Sequence, residues 1–231
     1  MFPLFVFICL TLFHVSGVYC KEPATKTPKW CALSYGWSIT SDPTSCLMFT
    51  PDTSPALAPV SILFSDKFDN FKKISCEIKT NDASKSFSAG LALQSQKGHI
   101  TVMLEGTGKY ETIELIHRSQ NIDDIISSER ISANSLIKTD TFWHVLDLSF
   151  ASNTLTISQD KTIIGSLSLP INLDKDIIVG FAGKNANISI RNPLVFVGKT
   201  KHSLPIVRNN IITLPIKSNK SGKSNKRLMA P

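Results

Sequence analysis

The sequence predicts an all-β protein: an antiparallel two-sheet β-sandwich of jelly-roll type. Three observations carry that reading. Apolar residues recur at every second position along most of the chain, β-branched residues are enriched, and turn-forming clusters fall roughly every 8–12 residues. The composition agrees. Of 231 residues, 42% are hydrophobic and 19% charged, which excludes a disordered chain, and 11 Gly with 12 Pro exclude a collagen-like one. About 170 residues in a single core suit a two-sheet domain.

Residues 1–17 read as a signal peptide. Met1 to Cys20 contain no Lys, Arg, Asp or Glu. The apolar run Phe2–Phe13 is shorter than the roughly 20 residues that span a bilayer and has the length of a secretory apolar core. Val15-Ser16-Gly17 offers a cleavage site and Val18-Tyr19-Cys20 a second. The missing positive charge before Lys21 departs from the signal pattern, and an uncleaved anchor is the competing reading. The expected location is secreted or in the endomembrane lumen, with no transmembrane segment after cleavage. Residues 18–30 form a polar, Pro-containing extended leader.

The sandwich is expected over residues 31–198. Pro55–Phe64 is its first long apolar run. In Phe71–Lys79, Ile74, Cys76 and Ile78 alternate with Lys73, Ser75, Glu77 and Lys79, which points Cys76 inward. Phe87–Gln94 is small and apolar, as a strand covered on both sides would be. His99–Glu105 puts Ile100, Val102 and Leu104 on one face and His99, Thr101 and Glu105 on the other. Tyr110–Arg118 also alternates. The stretch Asn121–Ile137 carries a weak helical signal of mixed spacing. Phe142–Phe150 puts His144, Leu146, Leu148 and Phe150 on one face. Five further short strands follow up to Gly198, with turns at Gln96–Gly98, Glu105–Lys109 and Ser158–Lys161.

Charge is unevenly placed. The chain holds 25 Lys+Arg against 18 Asp+Glu. Eight of the basic residues and none of the acids lie from Lys199 onward, so the rest has 25 − 8 = 17 against 18. The domain itself is therefore no nucleic-acid binder. Residues 199–231 read as a basic, solvated tail able to touch anionic surfaces, with a dibasic pair at Lys226-Arg227.

Signal cleavage after Gly17 removes Cys9 and leaves Cys20, Cys31, Cys46 and Cys76 as disulfide candidates. Cys31–Cys46 closes a short local loop and is favoured. Cys76 is either a bridge to Cys20 or a buried free thiol. No zinc-type Cys/His spacing is present, and neither a metal nor a cofactor is expected.

Phe68–Gly198 resembles the concanavalin A-like lectin/glucanase superfamily, within it the laminin-G-like and 3-keto-disaccharide-hydrolase-type jelly rolls. Three pieces carry the resemblance. They are FDNFKKISCEIKT followed by FSAGLALQ; FWHVLDLSFASNTLTISQDKTIIGS, in which a Trp opens a strand; and VGFAGKNANISIRNPLVFVG. Lys161 stands where the superfamily's turn has Gly. The resemblance implies a jelly roll whose concave sheet binds the ligand.

Glycosidases of this fold need two carboxylates facing one cleft, and the Glu-x-Asp-x-x-Glu strand motif is missing. Glu111 and Glu114 are the nearest pair, and their spacing puts them on opposite faces. Asp123-Asp124 reads as a polar turn. His144 reads as a satisfied core residue rather than a base, and no catalytic residue is assigned. Trp30, Tyr35 and Trp37 flank Cys31 in the densest aromatic cluster. They are the ligand-binding candidates, since aromatic faces stack on sugar rings; the plainer reading is an aromatic plug at one edge of the sandwich. Asn187 and Asn219 head N-glycosylation sequons, the first on an outward strand face. The expected function is non-catalytic binding of glycan or an extracellular protein. A glycan-modifying hydrolase of the same fold and a structural surface or matrix protein are the alternatives.

Overall fold

The computed structural model describes residues 29–213, apart from 34, 42–43, 52–58, 83–86, 107–109, 122–123, 174 and 209. The signal peptide, Cys20, Asp123, Asn219 and Lys226-Arg227 lie outside the described residues, which contain strands and no helix.

The strands are β1 (Trp30–Ala32), β2 (Trp37–Thr40), β3 (Cys46–Phe49), β4 (Val60–Phe68), β5 (Phe71–Thr80), β6 (Phe87–Ser95), β7 (Gly98–Gly106), β8 (Glu111–Arg118), β9 (Ile125–Ser132), β10 (His144–Ala151), β11 (Thr154–Gln159), β12 (Thr162–Ser168), β13 (Ile177–Gly183), β14 (Ile188–Val197), β15 (Thr200–Ser203) and β16 (Ile211–Thr213). Sheet I has the order β16-β1-β4-β13-β6-β7-β8-β9. Sheet II has the order β12-β11-β10-β5-β14-β3-β2, with β15 added on β14. Neighbours pair antiparallel, and β1 pairs with β16 in parallel.

The expected alternation sets the register. His144, Leu146 and Leu148 of β10 stand opposite Ile78, Cys76 and Ile74 of β5, so both apolar sets enter the same core. A slip of one residue would turn either set to water. Every residue of β6 is buried, as its small apolar composition suggests. Two glycines let the strands of sheet I close up. A Cβ on Gly90 would stand 1.7 Å from the carbonyl oxygen of Val102, and one on Gly180 would stand 1.9 Å from that of Ile62. The β11–β12 hairpin turns through Asp160 and Lys161 at φ 48° and 70°, the left-handed pair a two-residue hairpin requires. Lys161 therefore occupies a backbone state that glycine adopts without strain.

Three expectations are corrected. The segment with a weak helical signal holds edge strand β9, whose β-branched isoleucines favour extended chain. The strands do not stop at Gly198: β15 is added to sheet II and β16 to sheet I. Cys31 and Cys46 are not joined. Cys46 and Cys76 are free and buried, on β3 and β5 of sheet II. Cys31 lies on β1 of sheet I and is disulfide-bonded.

Candidate functional site

The aromatic candidates do not form one surface. Trp30 is fully buried; its ring packs 5.0 Å from Phe64 and 5.9 Å from Phe181, and its Nε1–H donates to the carbonyl of Pro205. Trp37 is buried against Phe49, and its Nε1–H donates to the carbonyl of Val60. Tyr35 alone is exposed. The two indoles belong to the core, the plug rather than the stacking platform. The first sequon also sits differently from expectation. Asn187 is half-buried and Ser189 buried, its hydroxyl 3.0 Å from Asn81 Oδ1, because the outer face of sheet II is crowded there. Asp124 accepts from Asn121 and Ser119, as a polar turn does.

The outer face of sheet I brings together residues far apart in sequence. Its centre is apolar: Leu63 of β4, Ile178 and Ala182 of β13, Ala92 of β6 and Met103 of β7 form a buried cluster with Leu33 packed on it. Beside it, across β6 to β9, the same face is polar. Gln94 stands opposite His99, and His99 opposite Arg118. Ser88 stands opposite Glu105; Met103 stands opposite Glu114, and Glu114 opposite Arg130. The sequence placed His99, Thr101 and Glu105 on one face, as found. It could not show that the neighbouring strands deliver Arg118, Glu114 and Arg130 to the same place.

The electrostatics are specific. Arg130 bridges the two acids, 3.2 Å from Glu105 and 3.1 Å from Glu114. Lys184 lies 3.4 Å from Glu105, and the Ser128 hydroxyl 3.2 Å from Glu114. The two acids raise the Arg130 pKa further through hydrogen bonding and charge. Arg118 donates to Thr101 Oγ1 at 3.2 Å. Burial, aided by the Arg118 charge and opposed by a backbone hydrogen bond at Gln120, lowers the His99 pKa to about 4. His99 is therefore neutral at physiological pH, and its Nε2 is buried without a partner, as is the Ser88 hydroxyl.

Sheet II treats its outer face differently. Glu77 takes the Arg191 guanidinium at 2.6 Å and the Asn192 amide at 3.0 Å. Burial opposes the charge on Glu77, but these two bonds outweigh it and lower its pKa. Arg191 also lies 4.2 Å from the Trp143 ring centroid, with Lys79 at 5.0 Å. Lys73 pairs with Asp147 at 2.9 Å. On the inward face of β10, at the end of the sheet, His144 is held between Asp140 (2.8 Å from Nε2) and Asp160 (2.7 Å from Nδ1). With a carboxylate on each nitrogen, both nitrogens must donate, which only the imidazolium can do. Burial lowers the His144 pKa, the two aspartates raise it, and the net shift is upward.

No protein-family model matches the chain, and no curated protein matches it. Solved structures do. The carbohydrate-binding module CBM66 from Bacillus subtilis aligns at 12% identity and a TM-score of 0.51, over 71% of this chain and 93% of that one. A glycoside hydrolase family 16 endo-glucanase from Bacteroides ovatus aligns at 13% identity and 0.51, over 73% and 94%. A legume lectin-like domain from Entamoeba histolytica aligns at 10% and 0.52, over 73% and 89%. At this identity the likeness establishes the fold: the chain is a concanavalin A-like jelly roll, as its strand pattern suggested.

Proposed function

We propose that this protein is a secreted or lumenal glycan-binding module without hydrolytic activity, and that its ligand lies along the polar half of the outer face of sheet I. The observation that carries the reading is the pairing of the two acids there. A retaining or inverting glycosidase needs two carboxyl groups free to face the scissile bond. Glu105 and Glu114 are both tied to the Arg130 guanidinium, at 3.2 and 3.1 Å. Such a pair, with half-exposed Arg130 beside it, suits hydrogen bonding to sugar hydroxyls. The carbohydrate-binding module and lectin-like domain of the same fold support the class of ligand.

A glycan array probed with the secreted protein tests the reading. Binding to a restricted set of glycans, lost in Glu105→Gln and Arg130→Ala and retained in half-molar salt, is the expected result. Absence of binding across the array would overturn the reading, and release of reducing ends from a bound glycan would overturn its non-catalytic part.

A further inference from the structure

The segment between Ile137 and β10 is fixed at both ends and held in the middle by one side chain. Ile137 is in the core, and buried Gln159 brackets the residue after it. Gln159 Oε1 accepts from the Lys138 N–H at 2.8 Å, and its Nε2–H donates to the Lys138 carbonyl at 3.1 Å. At the other end His144 opens β10 opposite Ile78. Among the described residues, no backbone hydrogen bond joins residues 139–143 to the rest of the fold. Asp140 supplies the tie. Its Oδ1 accepts from the Phe142 N–H at 2.9 Å and from His144 Nε2 at 2.8 Å. The loop displays exposed Phe142 and lays the Trp143 ring against Arg191 and Lys79, whose charges lie 4.2 and 5.0 Å from its centroid.

Among the described residues, the charged groups around His144 come from three places. Asp140 and Lys138 belong to its own loop, and Asp160 to the β11–β12 turn, while β5 offers apolar Ile78. From sheet I the nearby acid is Glu111, which lies with Thr139 beside Gly106. The two aspartates differ in freedom. Asp160 also accepts the Val145 N–H at 2.9 Å and the Lys138 ammonium at 2.7 Å, so it is anchored and keeps the Nδ1–H. Asp140 is half-exposed on the loop. Once Nε2 gives its proton to water, two acceptors face each other at 2.8 Å, and Asp140 is the one that can turn to solvent. We propose that His144 is a latch worked by pH: its imidazolium holds loop 138–143 and the Trp143 ring on sheet II, and loss of the Nε2 proton frees the loop and uncovers Arg191 and Lys79. Burial opposes the charge on His144 and the two aspartates outweigh it. The latch is therefore closed below pH 6.5 and opens as pH climbs through the raised folded value. It works whatever ligand sheet I takes.

The test is limited proteolysis of the full chain by chymotrypsin, which cuts after large aromatic residues, over a pH series in native buffer. Mass spectrometry reads cleavage after Phe142 and Trp143 against cleavage after exposed Tyr110 as internal reference. The ratio is expected to rise several-fold from pH 6.5 upward in the wild type, and to be high and flat in Asp140→Ala. An unchanged urea midpoint in that variant shows that the loop alone is released. In the wild type, the NMR signals of the His144 ring and the Trp143 indole are expected to shift with one common midpoint. A flat ratio in the wild type, a pH-dependent ratio that survives in Asp140→Ala, or separate midpoints for the two signals would each overturn the proposal. None of these readouts depends on glycan binding.

Discussion

The outer faces of the two sheets handle polar side chains in opposite ways. On the outer face of sheet II, Arg191 pairs with Glu77 and Lys73 with Asp147, and of these groups Asp147 Oδ1 alone is a buried atom without a hydrogen-bond partner. On sheet I the buried Ser88 hydroxyl and His99 Nε2 have none, and an apolar cluster lies beside them. A face that satisfies itself gains little from a partner. A face that leaves buried groups unpaired is stable only if something else completes it, because each such group costs more than an average hydrogen bond returns. The contrast supports the proposal of sheet I as the working face.

The strongest way to break the contrast is to pry sheet I apart. Gly180→Val places a side chain against the Ile62 carbonyl and should cost about 3 kcal/mol or more, read by urea denaturation. A loss below about 1 kcal/mol would mean that the strands of sheet I part easily.

The two histidines sharpen the contrast through pH. His99 on sheet I has its pKa lowered from 6.5 to about 4, so the unfolded chain binds the proton first. Its contribution to stability is full above pH 6.5 and falls away as pH drops toward 4. His144 on sheet II has a raised pKa, so its contribution is full below 6.5 and is lost as pH climbs through the folded value. Asp160, lowered to about 2 by the Lys138 and His144 bonds against an opposing burial effect, keeps its share until pH falls below 3.8 toward 2. Melting curves across pH should therefore lose their acid limb in His99→Gln and their alkaline limb in His144→Gln. Identical profiles for the two variants would erase the distinction between the faces.

Smaller effects should separate stability from binding. Arg191→Ala leaves Glu77 uncompensated and strips Trp143 of its cation; about 1 kcal/mol of stability should go while glycan binding is unchanged. Arg130→Ala, at a half-exposed pair, should cost under about 0.5 kcal/mol yet abolish binding. The smallest expected change is a gain: Lys161→Gly relieves the left-handed turn and should stabilise by about 0.5 kcal/mol in thermal melts.

The strands most legible in the sequence were those buried on one face. β5 and β10 alternate strictly because one side of each meets the core. β9 is exposed on nearly every residue, so no burial imposes a period on it. β15 and β16 are short, at four and three residues, and the lysines around β15 read as tail. Trp30 and Trp37 could be read as a plug or as a platform, because the sequence shows a cluster but not which way each ring points. The meeting of Glu105, Glu114 and Arg130 was illegible for another reason. It depends on the register of three strands, which the turns between them set and no local pattern encodes.

Strands β1 and β16 run side by side in the same direction, with Trp30, Cys31 and Ala32 against Ile211, Ile212 and Thr213. A pull on the two ends of the polypeptide would draw these neighbours past one another and load all three registered pairs at once. Peeling would load them singly. The fold thus presents to tension the sturdier of two geometries, and the clip that resists it is the same one that holds Trp30 inside.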